Sequence, residues 1–387
     1  MSTVTVSDTP FVGSDRLLVG IVLSVLTFWL FAQSVINVVP AMKSSLDISL
    51  ETLTLAVSLS ALFSGCFVVA SGGLADKFGR MRMTTLGLGL SIIGSAMLVL
   101  AQGPGLFLAG RVLQGLSAAC IMPATLALIK TWYQGRARQR AVSFWVIGSW
   151  GGSGLCSFVG GAIATGLGWR WIFVFSIAVA LLALFLLRGT PESRSASASQ
   201  HKLDVGGLLS LIVGLVLVNL FISKGHGWGW ASPLSLSMLA GALIAGAVFI
   251  RSGLRKGEAA LIDFALFRNR AYGAAVLSNF LLNGAIGTMM IASIWLQQGH
   301  HLTPLESGMM TLGYLVTVLA MIRVGEKLLQ RYGARLPMMA GPVLTAIAIG
   351  LISCTFLEKA LYIGVVFGSN VLFGLGLGCY ATPSTDT

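Results

Sequence analysis

An arginine inside an otherwise apolar run is the first residue of this sequence that asks for a chemical purpose. Arg111 lies in GLFLAGRVLQGLSAACIMPATLALI, and Gln114 and Gly115 follow at i+3 and i+4, on one face if the run is helical. Six residues into its segment it sits roughly 9 Å deep. If lipid surrounds the run, a guanidinium there costs at least about 2.5 kcal/mol. Either it snorkels back to the surface, or it joins Gln114 in a polar patch facing other helices. A second constellation is GGLADKFGRMR, residues 72–82, where Asp76, Lys77, Arg80 and Arg82 crowd beside Gly72, Gly73 and Gly79. The glycines permit a tight turn and close helix approach. Asp76 can cap a helix or pair with a cation, while Arg80 and Arg82 anchor the chain at a membrane surface. A plain turn has no need of the acid, so the stretch reads as a loop that must close and open. Other carboxylates fall in loops or at segment ends, and Asp386 follows the last apolar run, 361–382, lying inside a span only if that run continues. Proton-coupled work needs a group that titrates with access to both sides, and Glu306 and Asp386 are the candidates.

Other chemistries are excluded by the same inventory. Cys66, Cys120, Cys156, Cys354 and Cys379 lie in apolar runs without CxxC spacing, and the four histidines sit in polar loops without HExxH. There is no GxxxxGK[ST]. The expectation is no metal, no cofactor and no catalytic constellation: the chain is not an enzyme.

What must position these residues is a bundle of membrane-spanning helices. Of the 387 residues 56% are hydrophobic and only 10% charged, with a mean hydropathy of +0.88, whereas soluble chains are about a quarter charged. Twelve apolar segments recur, at 17–42, 52–72, 83–102, 105–130, 141–166, 169–187, 205–222, 234–250, 272–296, 307–324, 337–357 and 361–382, most of them long enough for a ~30 Å hydrocarbon layer. The class is all-α and polytopic, embedded in the lipid bilayer. The net charge of +12 does not signal nucleic acid, because the basic residues are spread over short loops. With a cytoplasmic N-terminus, 20 of the 25 Lys and Arg fall in inner loops and the tail; Lys43, Arg170, Lys224 and Lys359 fall outside, and Arg111 within a segment.

An internal repeat organises the segments. EKLLQRYGARLPM at 326–338 matches GGLADKFGRMRMT at 72–84 with an offset of 254, and GLGLGCYATPST at 374–385 matches GLSAACIMPAT at 115–125 with an offset of 259. Two matches at nearly one offset predict two homologous halves around a midplane site. The expected organisation is a cytoplasmic tail (1–16), a six-helix half (17–187), a Ser-rich cytoplasmic linker (188–204), two inserted helices (205–250), a second cytoplasmic linker (251–271) and the first four helices of a second half (272–387). That second half is incomplete, as if this were the front part of a 14-helix protein. The linker 251–271 carries LIDFALF between basic flanks, either an interfacial amphipathic helix or a plain loop. In the fifth segment small residues recur every four positions, Gly148, Gly152, Cys156, Gly160, Ala164 and Gly168, which lets two backbones approach.

These residues carry a resemblance. GGLADKFGRMR resembles the loop signature between helices 2 and 3 of the major facilitator superfamily, and LAGRVLQG (108–115) resembles its helix 4 motif. GLGWRWIF (166–173) is similar to the start of helix 6 in the 14-helix drug/proton antiporters, and much of 17–387 resembles the quinolone and multidrug efflux pumps among them. The resemblance implies a major facilitator fold and a multi-pass position in the cytoplasmic (inner) membrane of a bacterium. It implies a conformational latch at Gly72, Asp76, Gly79 and Arg80, and proton coupling through Arg111 with Gln114, Asp386 being the acid to test. It also implies an antiporter motif at Gly152, Cys156, Gly160 and Gly161. The chain departs from the pattern twice: Cys156-Ser157 stands where the motif has Gly-Pro, and FAQSVINVVP lacks the acid common in the first helix.

A cavity lined by the first, fourth, fifth and ninth segments has Trp29, Gln33, Asn37, Trp145, Trp150, Asn279, Asn283, Met289 and Met290 available, a set suited to amphipathic planar drugs. The function expected is proton-driven efflux of hydrophobic drugs (fluoroquinolones, cationic dyes and biocides) by alternating access, by a monomer whose partners are small-molecule drugs and protons. The alternatives are an exporter of one dedicated metabolite or antibiotic, a facilitator without proton coupling, or a truncated transporter that inserts without transporting.

Overall fold

The computed structural model describes residues 12–36, 38–46, 48–194, 204–257, 260–262, 264–333 and 335–386. Apolar length dictates what they form, since only helices satisfy their own backbone within lipid. The first span is α1 (Asp15–Ile36) with the short α2 (Val39–Leu46). Then come α3 (Leu50–Phe78), α4 (Arg80–Leu100) and α5 (Pro104–Trp132). The fifth span is broken into α6 (Gly135–Val146), a π turn (Ile147–Gly151) and α7 (Gly152–Gly166), and α8 (Arg170–Leu187) closes the block. The inserted pair is α9 (Val205–Trp228) and α10 (Pro233–Lys256); α11 (Arg270–Gln298), α12 (Pro304–Tyr332), α13 (Arg335–Ile352) and α14 (Lys359–Asp386) follow. Among the described residues ten helices are long and apolar enough to cross a membrane, and the α6–α7 pair, bent by 43°, makes an eleventh. The end of the bundle where α1 begins is called the near face below, the opposite end the far face.

Two boundaries differ from the sequence reading for one physical reason. GRARQRAVSF is charged enough to look like loop, yet α6 starts at Gly135, and α12 continues through EKLLQRY to Tyr332. In both, apolar length marks only the stretch inside lipid, and the helix runs on into water.

The repeat reappears as repeated helix crossings. A Cβ built on Gly87 of α4 would lie 3.0 Å from the Ser117 carbonyl oxygen and 2.7 Å from Ile121 of α5. At Gly341 of α13, one would lie 2.7 Å from the Gly376 carbonyl oxygen and 2.8 Å from Tyr380 of α14. Gly115 meets the Ser60 carbonyl and Phe63, while Gly374 meets the Tyr314 carbonyl and Thr317. Each contact maps onto its counterpart by the offsets of the sequence repeat, 254 for α3 and α4 and 259 for α5. The glycines mark where backbones touch, so a larger residue at any of them would push two spans apart.

The two blocks differ in how their first helices are covered. Residue Gly20 of α1 is covered by Leu187 of α8, whose carbon lies 3.0 Å from a built Cβ, and α8 packs on both α1 and α4. The groove between the counterparts α11 and α13 is open. Two cavities lie along it, about 430 Å³ beside Ala274, Leu281 and Thr345, and about 310 Å³ beside Trp295 and Ile352, with Ile349 bordering both.

The inserted pair docks on α3 through polar contacts. Lys224 reaches Glu51 at 3.7 Å and the Thr52 hydroxyl at 3.3 Å, and the Ser58 hydroxyl donates to Asn219 at 3.3 Å. At the near face Asp204 clasps the pair together, accepting from the Gly207 amide (2.8 Å), the Lys256 ammonium (2.5 Å) and the Leu261 amide (3.2 Å). Burial alone would raise the Asp204 pKa, but the ammonium and the two amides outweigh it and hold the carboxyl below its usual range. A depressed folded-state pKa gives stability that is complete above the unfolded value of about 3.9 and fades as pH falls through the folded one. The expected result is a melting midpoint that drops below about pH 4 in the wild type, with Asp204→Asn showing a lower midpoint at pH 7 and less of that acid drop. Equal profiles in the two proteins would contradict the clasp.

Candidate functional site

Arg111 does not snorkel. Its side chain is 0% exposed. Nε donates to the Ala56 carbonyl at 3.1 Å, Nη1 to the Phe31 carbonyl at 2.6 Å and to Gln114 Oε1 at 2.9 Å, and Nη2 to the Ser60 hydroxyl at 2.7 Å. Gln114 passes the chain on, donating to the Ser95 hydroxyl at 3.2 Å. One guanidinium therefore ties α5 to α1 and α3, and through Gln114 to α4. Among the described residues its hydrogen-bond partners are dipoles: two carbonyls, an amide and a hydroxyl. A cation compensated this way keeps a strong field available to any anion or titrating group that approaches.

The charged stretch forms the joint between α3 and α4. Gly79 takes φ +124°, a region that strongly favours glycine, and serves as both the end of α3 and the start of α4. Arg80 pairs with Asp76 one turn earlier, at 2.8 and 3.0 Å, and also donates to the Thr131 hydroxyl at the end of α5. The pair lies wholly within the first block. A partner that the sequence reading missed completes the joint. Glu192, from the loop after α8, accepts from the Met81 amide at 2.9 Å and the Arg82 amide at 3.0 Å, capping α4 from 111 residues away. Glycine cannot cap with a side chain, so an uncapped α4 start was the available signal. A Cβ on Gly79 would overlap the Glu192 carboxyl. Gly79→Ala is thus expected to destabilise by about 1–2 kcal/mol from backbone strain alone and to displace Glu192; a thermal melt within a degree of wild type would rule this out.

The antiporter-motif positions occupy both sides of α7. Gly152 lies on Trp29, and a Cβ on Gly160 would overlap Ser34, whose hydroxyl donates to the Cys156 carbonyl at 2.6 Å. The four-residue stripe therefore packs on α1. Gly161 faces the other way, and a Cβ there would overlap the Pro304 carbonyl oxygen of α12. Gly154 packs on Leu315 and Gly151 on Leu319, the Ser153 hydroxyl donates to the Tyr314 hydroxyl at 3.3 Å, and the Leu305 amide donates to Thr165 at 3.1 Å. This second glycine face, at spacings of three and seven, was legible in the sequence but masked by the stronger four-residue stripe. It joins the first block to the second from the far face down to Leu319.

The remaining candidates are scattered. Trp145 donates to the Thr125 hydroxyl at 3.1 Å. Trp29 is half-buried, with an indole N–H that finds no acceptor among the described residues. Asn279 and Asn283 are exposed and bond each other at 2.6 Å. Gly72 lies 3.6 Å, by its built Cβ, from Pro123. Asn37 and the side chains of Gln33, Trp150, Met289, Met290 and Asp386 lie outside the described residues. Glu306 is engaged locally: its carboxylate accepts from the Thr303 amide (2.8 Å) and hydroxyl (3.0 Å) while its amide donates to Thr303, a capping box at the start of α12. That arrangement satisfies the first turn of α12. No group of His, Cys, Asp or Glu among the described residues could hold a metal.

Apolar spans crossing at glycines, a cation buried among dipoles and two blocks meeting along one face define a multi-pass membrane transporter. The chain belongs to the Major Facilitator Superfamily, whose profile matches residues 17–386. It is 52% identical over 377 residues to the quinolone resistance protein NorB of Staphylococcus aureus strain MRSA252, covering 97% of this chain and 81% of that one, with the same figures for strains JH9 and N315. Among solved structures, a peptide transporter POT in complex with sulfate is similar at 14% identity and TM-score 0.65, over 95% of this chain and 80% of that one. The xylose transporter XylE from E. coli, in a partially occluded inward open conformation, is similar at 16% identity and TM-score 0.60, over 95% and 85%. At such identities these two speak for the fold alone. The chain is a transporter in a bacterial membrane, not an enzyme.

Proposed function

We propose that this transporter expels amphipathic drugs, fluoroquinolones and cationic dyes and biocides among them, in exchange for protons. It works as a monomer, with a cytoplasmic N-terminus and the near face toward the cytoplasm. Residues 17–187 form one moving half, 205–250 an inserted pair, and 272 onward the other half. The observation that carries the reading is the far-face seal of α7 on α12, which runs from Gly161 on Pro304 to Gly151 on Leu319. A transporter closed there is poised to accept substrate from the near face, as an exporter must be, and alternating access breaks that seal to release it. The 52% identity to quinolone resistance proteins supports the substrate class. Asp76, Gly79 and Arg80, with Gly72, act as the latch of the near face, and Arg111 with Gln114 as the coupling group toward a proton or a substrate anion. Asp386 is the acid to substitute first.

The test is norfloxacin and ethidium uptake into inverted vesicles with an acid interior. Accumulation that a protonophore abolishes is the expected result. Absence of uptake by inserted, folded protein would overturn the multidrug reading. The sequence places no acid in the middle of a described span, which favours a facilitator as second reading; uptake indifferent to the gradient would select it.

A further inference from the structure

After α10 the chain does not leave the bundle. It reverses at Gly257, where φ is +55°, and the Leu261 amide returns to the Asp204 carboxylate at the foot of α9. Phe264 then packs against Gly253, with its ring edge-on to that of Phe249 at 5.7 Å. Phe249 is seven residues before Lys256, about 10 Å up the helix axis. The 3-10 helix that follows, Phe264–Arg268, therefore starts level with the last two turns of a membrane span instead of beyond them. From it Leu266 and Phe267 stand exposed, as does Leu254 on α10, and the Phe267 ring meets Tyr272 at the start of α11 edge-on at 5.4 Å. Arg251, Arg255, Lys256, Arg268 and Arg270 flank these apolar residues in the sequence, where Glu258 and Asp263 are the acids of the stretch. The four arginines are exposed, and Lys256 is already held by Asp204.

We infer that the described residues 251–257 and 264–272 form a foot that binds anionic phospholipid at the near-face surface. Leu254, Leu266 and Phe267 enter among the acyl chains, and the guanidinium groups above them grip a headgroup phosphate. A guanidinium fork matches a phosphate with two parallel hydrogen bonds. Apolar anchors ringed by arginine are what an interfacial segment needs for anionic lipid, while a zwitterionic lipid satisfies only the apolar part. Because Phe267 packs on Tyr272, an occupied foot also fixes the start of α11.

The experiment extracts the full chain from bilayers of phosphatidylethanolamine with about 20% phosphatidylglycerol and counts retained lipids by native mass spectrometry. Wild type is expected to retain phosphatidylglycerol in preference. Arg268→Gln with Arg270→Gln should cut retention by about fivefold or more, while Arg138→Gln, exposed on α6, should leave it unchanged. A monodisperse peak and unchanged melt establish that each variant is folded. If the double variant fails to fold, Phe267→Ser, which keeps every charge, takes its place and is expected to weaken retention of both lipids. Wild type without preference for phosphatidylglycerol, or folded variants that retain it as fully, would overturn the foot as an anionic-lipid site.

Discussion

Arg111→Lys is expected to insert, fold and yet lose most efflux. The ammonium keeps the charge but has three donors from one point, so it cannot serve the carbonyls of Phe31 and Ala56, the Ser60 hydroxyl and Gln114 together. Each charge-assisted bond forgone is worth about 1.5–3 kcal/mol, so transport falling on the order of tenfold is the conservative expectation. Arg111→Ala should go further. It empties a fully buried site, leaves Ser60 and Gln114 short of a partner and unties α5 from α1 and α3, at a cost of about 2–5 kcal/mol. For a marginally stable bundle that means a much lower melting point and little protein in the membrane. Drug susceptibility and thermal melts measured on the same preparations separate the two effects. Wild-type efflux by the lysine variant would show that the charge alone suffices and that the fork is incidental.

The other large effect belongs to Gly161. Its neighbours are backbone, the Pro304 carbonyl and the Leu305 Cα, and backbone cannot swing aside as a side chain can. Gly161→Ala must therefore part α7 from α12 or strain both helices, by about 1–3 kcal/mol. If the far-face seal is what holds the resting state, that energy moves the population toward the far-face-open form by about fivefold or more. Spin labels on Leu167→Cys and Phe356→Cys, both exposed near the far face in different blocks, should report a longer distance, and efflux should fall. A distance distribution superposable on that of wild type would mean that the seal yields elsewhere and that Gly161 is only packing.

Much of this was written in the sequence, and the reasons for the exceptions are physical. Apolar length gave the spans, because lipid forces hydrophobicity on every residue that meets it. The repeat was readable because a duplicated crossing needs the same small residue twice, as at Gly87 and Gly341. Arg111 was conspicuous by its cost. Its partners were not, since two are backbone carbonyls, which every residue has and no letter marks. Glu192 was hidden for a related reason: it sits in a Ser-rich loop and acts on amides 111 positions away. The ends of α6 and α12 were missed where helices outrun the bilayer. The two faces of α7 were confused because glycine spacing reports closeness without naming the neighbour.

The open groove beside α11 has a consequence for how heat and motion distribute over the molecule. α1 is clamped by α7 and α8, whereas Leu277, Leu281 and Ile291 of its counterpart α11 stand 58%, 61% and 69% exposed. A helix with fewer neighbours opens locally at lower free energy. In the 387-residue chain, deuterium should therefore replace the amide protons of α11 well before those of α1, although the two helices are related by the same repeat.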